Sequence, residues 1–139
     1  MDKTSVRYNT NLAAEFWVLS TLYRLGAEAN LTLGNKKSVD ILIFRDSAPL
    51  ISVDVKGLAD AYDWPADNVK ITDDPNHFYV LLSFEGGILN PSTGPSVWII
   101  PSDQIRPFIK PYRTRTVVSR SLVKKNGSEF RNAWGPFTD

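Results

Sequence analysis

The stretch ISVDVKG, residues 51–57, alternates three apolar β-branched residues with Ser52, Asp54 and Lys56. This period of two predicts a β-strand with one apolar face and one polar face. The polar face carries a carboxylate and an ammonium group two residues apart. Either these charges form an ion pair in water, which contributes little to stability, or other residues converge on them and form a site.

A preceding strand, VDILIF at residues 39–44, brings a second carboxylate into the same region. A five-residue connector joins the two strands, so we expect a hairpin with Phe44 opposite Leu50. In that register Asp40 faces Asp54, with about 4.5–5.5 Å between their Cβ atoms, and a shift of one residue would break the pairing. Two carboxylates this close repel each other unless a cation lies between them, and oxygen ligands suit Mg²⁺ or Mn²⁺.

A helix predicted at residues 12–25 supplies a third carboxylate. Asn11 is a suitable N-cap and Gly26 a suitable stop. On a helical wheel the apolar stripe that should face the sheet includes Phe16 and Leu19, and Glu15 lies in its middle. A carboxylate there is costly unless it is paired or binds a metal. Alternatively, Glu15 lies in the first turn of the helix, where the helix dipole favours an acid and solvent is near.

The remaining pattern predicts a mixed α+β domain that spans residues 1–139 as one unit. Short connections between neighbouring strands favour antiparallel pairing. The predicted elements are strands at 26–33, 39–44, 50–56, 77–84 and 96–101, a turn at 34–38, loops at 58–76 and 85–95, a helix from Ser102 to 109, an extended segment at 117–123 and a short helix at 128–134. Tyr62 and Trp64 in the first loop either stack on an unpaired base or pack in the core.

The charge of the chain is divided between an acidic body and a basic C-terminal extension. Residues 1–105 carry a net charge of −5 and residues 106–139 carry +6. The extension either binds a polyanion or packs on the acidic body. Its candidate nucleic-acid-binding residues are Lys110, Arg113, Arg115, Arg120, Lys124 and Lys125.

The composition limits the compartment and the type of site. The chain has no cysteine, so disulfides and thiolate metal sites are excluded. A polar N-terminus without a signal-peptide pattern, and the lack of long apolar runs, predict an intracellular, cytoplasmic protein that does not act at a membrane.

Together, Glu15 in the first helix, Asp40 in SVDILIF, and Asp54 and Lys56 in ISVDVKG resemble the motif of the PD-(D/E)XK nuclease superfamily. The resemblance implies a restriction-endonuclease-like fold, with a central mixed five-stranded sheet flanked by helices. It implies that Asp40, Asp54 and Glu15 bind Mg²⁺ or Mn²⁺ and that Lys56 is the catalytic lysine. Val39 stands where the family's name has a proline, a common departure among its members.

The size of the chain and its leading glutamate helix are also similar to those of archaeal Holliday-junction resolvases, which act as homodimers. We therefore expect a metal-dependent endonuclease that hydrolyses DNA, with branched DNA among the candidate substrates, RNA as an alternative and a homodimer as the working unit. Two other functions stay open. The chain could be an inactive nuclease-fold module that binds nucleic acid or a protein, or an interaction protein with a surface ion-pair cluster.

Overall fold

Along the polypeptide, one long helix is followed by three strands, a crossover segment, two further strands and a C-terminal region of short elements. The computed structural model describes residues 3–32 and 40–138; the predicted turn at 34–38 lies outside them. The helices and strands are α1 (Lys3–Arg24), β1 (Glu28–Leu31), β2 (Ile41–Phe44), β3 (Ile51–Leu58), β4 (Trp64–Pro65), β5 (His77–Ser83), β6 (Ser96–Pro101), β7 (Ile109–Pro111), β8 (Thr116–Val118) and α2 (Arg120–Asn126).

The central sheet has five strands in the order β1-β2-β3-β5-β6. Strands β3 and β5 are parallel, and the other neighbours are antiparallel. A parallel pair requires a long crossover connection, which residues 59–76 provide. The predicted mixed five-stranded sheet flanked by helices is therefore confirmed.

The register of the β2–β3 hairpin agrees with the prediction. Ile41 pairs with Val53 and Ile43 pairs with Ile51. All four of these side chains are buried, so the apolar faces of both strands fix the pairing. The backbone N–H of Asp40 donates to the carbonyl of Val53 at 2.9 Å, so the residue before β2 is also held against β3.

Helix α1 differs from the prediction at its start. It begins at Lys3, so Asn11 is not its N-cap, and Glu15 is not in its first turn. The polar segment before residue 12 is also helical. The prediction missed it because no apolar stripe in the sequence marks it. Its end agrees with the prediction, since Gly26 takes a positive φ of 83° just after the helix.

The buried face of α1 was also predicted incorrectly. The buried row is Thr10, Ala14, Val18 and Leu22, spaced by four residues along one side of the helix. Phe16, assigned to the buried stripe, is 52% exposed. The reason is steric: a Cβ on Gly57 of β3 would overlap the Cβ of Ala14. The helix therefore rests on the sheet through its small side chains, and Glu15 lies at the margin of the buried face.

Each face of the central sheet has its own apolar core. Helix α1 covers one face, together with Phe137 from the C-terminal region. A second sheet of order β4-β8-β7, with α2, covers the other face. Trp64 is fully buried there, and its Nε1 donates to the carbonyl of Leu82 at 3.1 Å. Of the two alternatives for this tryptophan, packing in the core is therefore the one observed.

Residues 102–138 contain less regular structure than predicted. The helix predicted from Ser102 is a pair of 3₁₀ turns, Ser102–Gln104 and Arg106–Phe108, since Pro107 prevents a longer helix. The extended segment predicted at 117–123 ends at Val118. Helix α2 follows because the Ser119 side chain caps it, accepting from the N–H of Leu122. At 128–134 only Ser128–Phe130 is helical, as a 3₁₀ turn.

The C-terminal region is part of the folded body. The Phe137 ring packs against Phe78 with 4.9 Å between their centroids. The N–H of Asn132 donates to the carbonyl of Val97 at 3.0 Å. The interpretation that the extension packs on the body is therefore confirmed, while many of its cations stay exposed. Among the described residues no helix combines the length and apolar character that crossing a membrane requires.

We predict that Gly57→Ala destabilises the protein by about 1–3 kcal/mol, because the added methyl group forces α1 away from β3. The measurement is the free energy of unfolding in urea. Gly94→Ala is the matched control, since a Cβ there has no atom within 4 Å. Adding Ala14→Gly to Gly57→Ala should recover part of the loss despite the low helix propensity of glycine. Equal stability of the two alanine variants would contradict the close contact.

Candidate active site

The site forms at the N-terminal end of β2, where the neighbouring strand β3 extends further than β2. Strand β3 continues to Leu58, whereas β2 begins only at Ile41. On this side the backbone amide of Val55 therefore has no strand partner among residues 3–32 and 40–138. The Asp40 side chain takes the partner's place: its Oδ2 accepts from the Val55 N–H at 2.7 Å. This bond fixes the Asp40 carboxylate beside the polar face of β3 and leaves its other oxygen for a second interaction.

Asp54 is buried, with 4% of its surface exposed. Its Oδ1 lies 3.6 Å from the Nζ of Lys56, which is itself mostly covered. Its Oδ2 is buried and has no hydrogen-bond partner among the described residues. The interpretation of Asp54 and Lys56 as a solvent-exposed ion pair is therefore wrong for Asp54. A buried carboxylate oxygen without a donor is costly and points to a missing cation or proton.

Glu15 reaches the same place from α1. The side chain is partly buried, and the contact between Ala14 and Gly57 brings this part of the helix against β3. Burial raises the pKa of Glu15 to about 8, with further contributions from a hydrogen bond with Asp40 and from the negative charges of Asp40 and Asp54. The alternative explanation by the helix dipole fails, because α1 begins twelve residues earlier, at Lys3.

The pKa of Asp54 is also raised, to about 7. Burial is the largest cause, Asp40 adds to it, and the positive charge of Lys56 partly opposes it. Near neutral pH Glu15 and Asp54 therefore hold protons that exposed carboxyl groups would have lost. The structure brings together all four predicted residues of the site, Glu15, Asp40, Asp54 and Lys56.

The fit of a divalent cation rests on the donor set and on the unpaired oxygen of Asp54. No group of three or more His, Cys, Asp or Glu side chains in residues 3–32 and 40–138 is arranged as a ready metal site. Mg²⁺ needs fewer protein ligands than that, since it is held by one or two carboxylates together with waters and substrate phosphates. Asp54 and Asp40 fit this requirement, and a cation between them would offset the repulsion that raises the pKa of Asp54.

Two neighbours of the site were not predicted from the sequence. Tyr79 pairs with Asp54 across the parallel strands, and its hydroxyl donates to the carbonyl of Lys70 at 3.0 Å. His77 lies beside Ser52, with 2.6 Å between Nδ1 and Oγ, and burial lowers its pKa. Both belong to β5. The parallel register between β3 and β5 places them beside Asp54 and Ser52, and no pattern in the sequence predicts that register.

The six candidate nucleic-acid-binding residues are divided between two elements, helix α2 and the β7–β8 hairpin. Arg120 is engaged in the fold, since its Nη2 contacts both carboxylate oxygens of Glu85 at 2.6 Å. Lys124 and Lys125 are exposed on α2. The remaining three, Lys110, Arg113 and Arg115, are exposed on the β7–β8 hairpin.

Comparisons of the chain with protein-family models, curated proteins and solved structures return no match. The interpretation of the site therefore depends on its own geometry and on the motif in the sequence.

We predict that stability falls as pH rises from about 5 to 8 in a chelating buffer. In the unfolded chain Glu15 and Asp54 ionise near their ordinary pKa values of 4.5 and 3.8, while the fold holds protons up to pH 7 to 8. The folded state therefore binds more protons in this window, so the stabilisation present at low pH is lost by up to about 1.4 kcal/mol per pH unit per proton.

Urea unfolding at several pH values measures this slope. Asp54→Asn and Glu15→Gln should each flatten it, and Asp54→Asn should be more stable than wild type at pH 8. Asp46→Asn, at an exposed position in the β2–β3 connection, is the control and should keep the slope. If Asp54→Asn keeps the wild-type slope, Asp54 does not hold a proton in the folded state as described.

Proposed function

We propose that the chain is a metal-dependent endonuclease that hydrolyses phosphodiester bonds in DNA. The observation that supports this most directly is the buried Asp54 carboxylate, which has one oxygen beside Lys56 and the other without a described donor. Asp40 and Glu15 meet Asp54 from two other elements. A structural role alone does not account for three carboxyl groups and one lysine in a shared, mostly water-excluded place.

The cation ligands in this proposal are Asp54 and Asp40, with Glu15 as a further ligand of the metal or of a bound water. When bound, Mg²⁺ or Mn²⁺ would supply a positive charge that draws the scissile phosphate in and stabilises the charge of the transition state. The same charge would allow Glu15 and Asp54 to be ionised together, which the protein alone opposes.

Lys56 and Glu15 act on the attacking water. The Lys56 ammonium group, held by Asp54, donates to the water or to a phosphate oxygen and offsets negative charge as it develops. Once the charge of the cation keeps Glu15 ionised, its carboxylate accepts a hydrogen bond from the water and is suited to take its proton. The water oxygen bonds to phosphorus, one P–O ester bond breaks, and the leaving oxygen is protonated from solvent.

The resemblance to the PD-(D/E)XK superfamily supports the same reaction, because the four motif residues converge in space in the manner that their proposed roles need. DNA as the substrate and a homodimer as the working unit remain predictions from the sequence. An inactive nuclease-fold module is the alternative, and the absence of a preformed three-ligand group among the described residues is the observation that favours it.

We predict metal-dependent cleavage that depends on Lys56. The assay incubates the protein with Mg²⁺ or Mn²⁺ and a panel of linear duplex, single-stranded and four-way-junction DNA. Lys56→Met should lower the cleavage rate by at least about 10²-fold, since it removes a charged donor that acts in the transition state. The same protein should keep its fold, as judged by circular dichroism.

The matched pair of aspartate variants separates the site from general electrostatic effects. Asp54→Asn should abolish cleavage and Mn²⁺ binding, measured by calorimetry, whereas the exposed Asp46→Asn should leave both unchanged. Cleavage at the wild-type rate by Lys56→Met would reject the assignment of the site. A folded protein that binds Mn²⁺ through Asp54 but cuts no substrate in the panel would favour the inactive module.

A further inference from the structure

We propose that the β7–β8 hairpin, on the side of the central sheet that carries Asp54, binds an unpaired nucleic-acid strand, with Tyr112 stacking on a base and the hairpin's cations contacting phosphates. This inference rests on the proposed function for its biological sense and names the class of substrate, namely strands with unpaired bases. It concerns binding only, so it can be tested without cleavage.

The hairpin has a tight turn that presents its side chains outward. Pro111 pairs with Thr116, and the N–H of Tyr112 donates to the carbonyl of Arg115 at 2.8 Å, which leaves two residues in the turn. Because side chains alternate along a strand, Tyr112 and its cross-strand partner Arg115 lie on the same face. Lys110, two residues before Tyr112, lies on that face as well.

The cations of the hairpin are not neutralised by the acidic body. Among the described residues the ion pairs are those of Lys56 with Asp54 and of Arg120 with Glu85. None of them involves Lys110, Arg113 or Arg115, and all three of these residues are exposed. A compact group of exposed, unpaired cations attracts phosphates through counterion release.

An exposed aromatic ring sits among these cations. Tyr112 is 49% exposed, and the Lys110 Nζ lies 5.3 Å from its ring centroid. Two other aromatic residues of the basic C-terminal extension, Phe108 and Phe130, are buried and pack against each other. An aromatic ring held at the surface next to phosphate-binding groups is the arrangement that stacks on a base of a single strand, whatever the sequence.

The hairpin is connected to the face of the sheet that carries Asp54. The N–H of Ala66 donates to the carbonyl of Thr116 at 3.1 Å, where β8 leaves the turn. Four residues later, the N–H of Lys70 donates to the hydroxyl of Tyr79 at 2.7 Å. Tyr79 pairs with Asp54 on the neighbouring strand. The hairpin therefore belongs to the layer that packs on the face of the central sheet where Asp54 lies.

Unpaired bases are favoured over duplex DNA because of the ring. Bases inside a duplex are stacked on each other and do not offer a face to Tyr112, whereas a single strand offers one at each nucleotide. Lys124 and Lys125 on α2 provide the contrast within the chain. They are exposed cations on a helix of seven residues whose apolar side chains are turned toward the core, so they can contribute only charge.

The test measures binding by fluorescence anisotropy in the Lys56→Met background with Mg²⁺, using a labelled oligothymidylate and a labelled blunt duplex. Tyr112→Ala should weaken binding of the single strand roughly tenfold and change duplex binding by less than about twofold. Tyr112→Phe should keep the wild-type affinity, since it keeps the ring. Lys124→Ala with Lys125→Ala should weaken single-strand and duplex binding by similar factors. Thermal unfolding of each variant checks that the fold is intact.

Two results would overturn the inference: Tyr112→Ala that binds oligothymidylate like the parent protein, or a loss that is equal for the single strand and the duplex. Heparin, which has charge but no bases, should bind Tyr112→Ala and its parent with equal affinity, and tighter binding to the parent would also count against stacking. A protein that never cuts DNA but shows the Tyr112 dependence would reject the proposed function and keep this inference. A protein that cuts DNA but binds the single strand equally well without the Tyr112 ring would support the proposed function and reject this inference.

Discussion

The close contact between α1 and β3 determines the geometry of the whole site. A long helix can lie this near a sheet only where both surfaces are small, and here Ala14 meets Gly57. The next residue in the helix is Glu15 and the preceding residue in the strand is Lys56. The residues in close contact are therefore adjacent in sequence to two charged residues of the site. A larger side chain at the contact would move Glu15 away from Lys56. This is why a glycine follows the charged part of β3.

Because β3 is longer than β2, a backbone N–H group of β3 needs a hydrogen-bond acceptor from outside the strand. Where β2 stops, a backbone amide of β3 needs an acceptor, and the Asp40 carboxylate provides it. The same carboxylate then lies near Asp54 and Glu15, which raises the pKa of both. One side chain thus completes the hydrogen bonding of the sheet and brings negative charge into the site. The protein tolerates this repulsion because protons, or a cation, can relieve it.

The hairpin and its three site residues, Asp40, Asp54 and Lys56, could be predicted from the sequence, since period-two patterns and a short connector fix which residues face each other. The buried face of α1 could not, because the helical wheel gave weight to large apolar residues such as Phe16 whereas close packing selected Ala14. The second sheet was missed because strands of two or three residues show no period. Tyr79 was missed because its place beside Asp54 depends on the parallel crossover, for which no local pattern exists.

The parallel pairing of β3 with β5 also bears on how the chain folds. The two strands meet only after residues 59–76 have closed a long loop, so the centre of the sheet assembles late compared with the β2–β3 hairpin. Until then β3 is an open edge whose apolar residues could pair with another chain. Asp54 and Lys56 place opposite charges on that edge, and charges on an exposed strand discourage such pairing. The residues that we assign to chemistry in the native protein would thus protect the incompletely folded chain from aggregation.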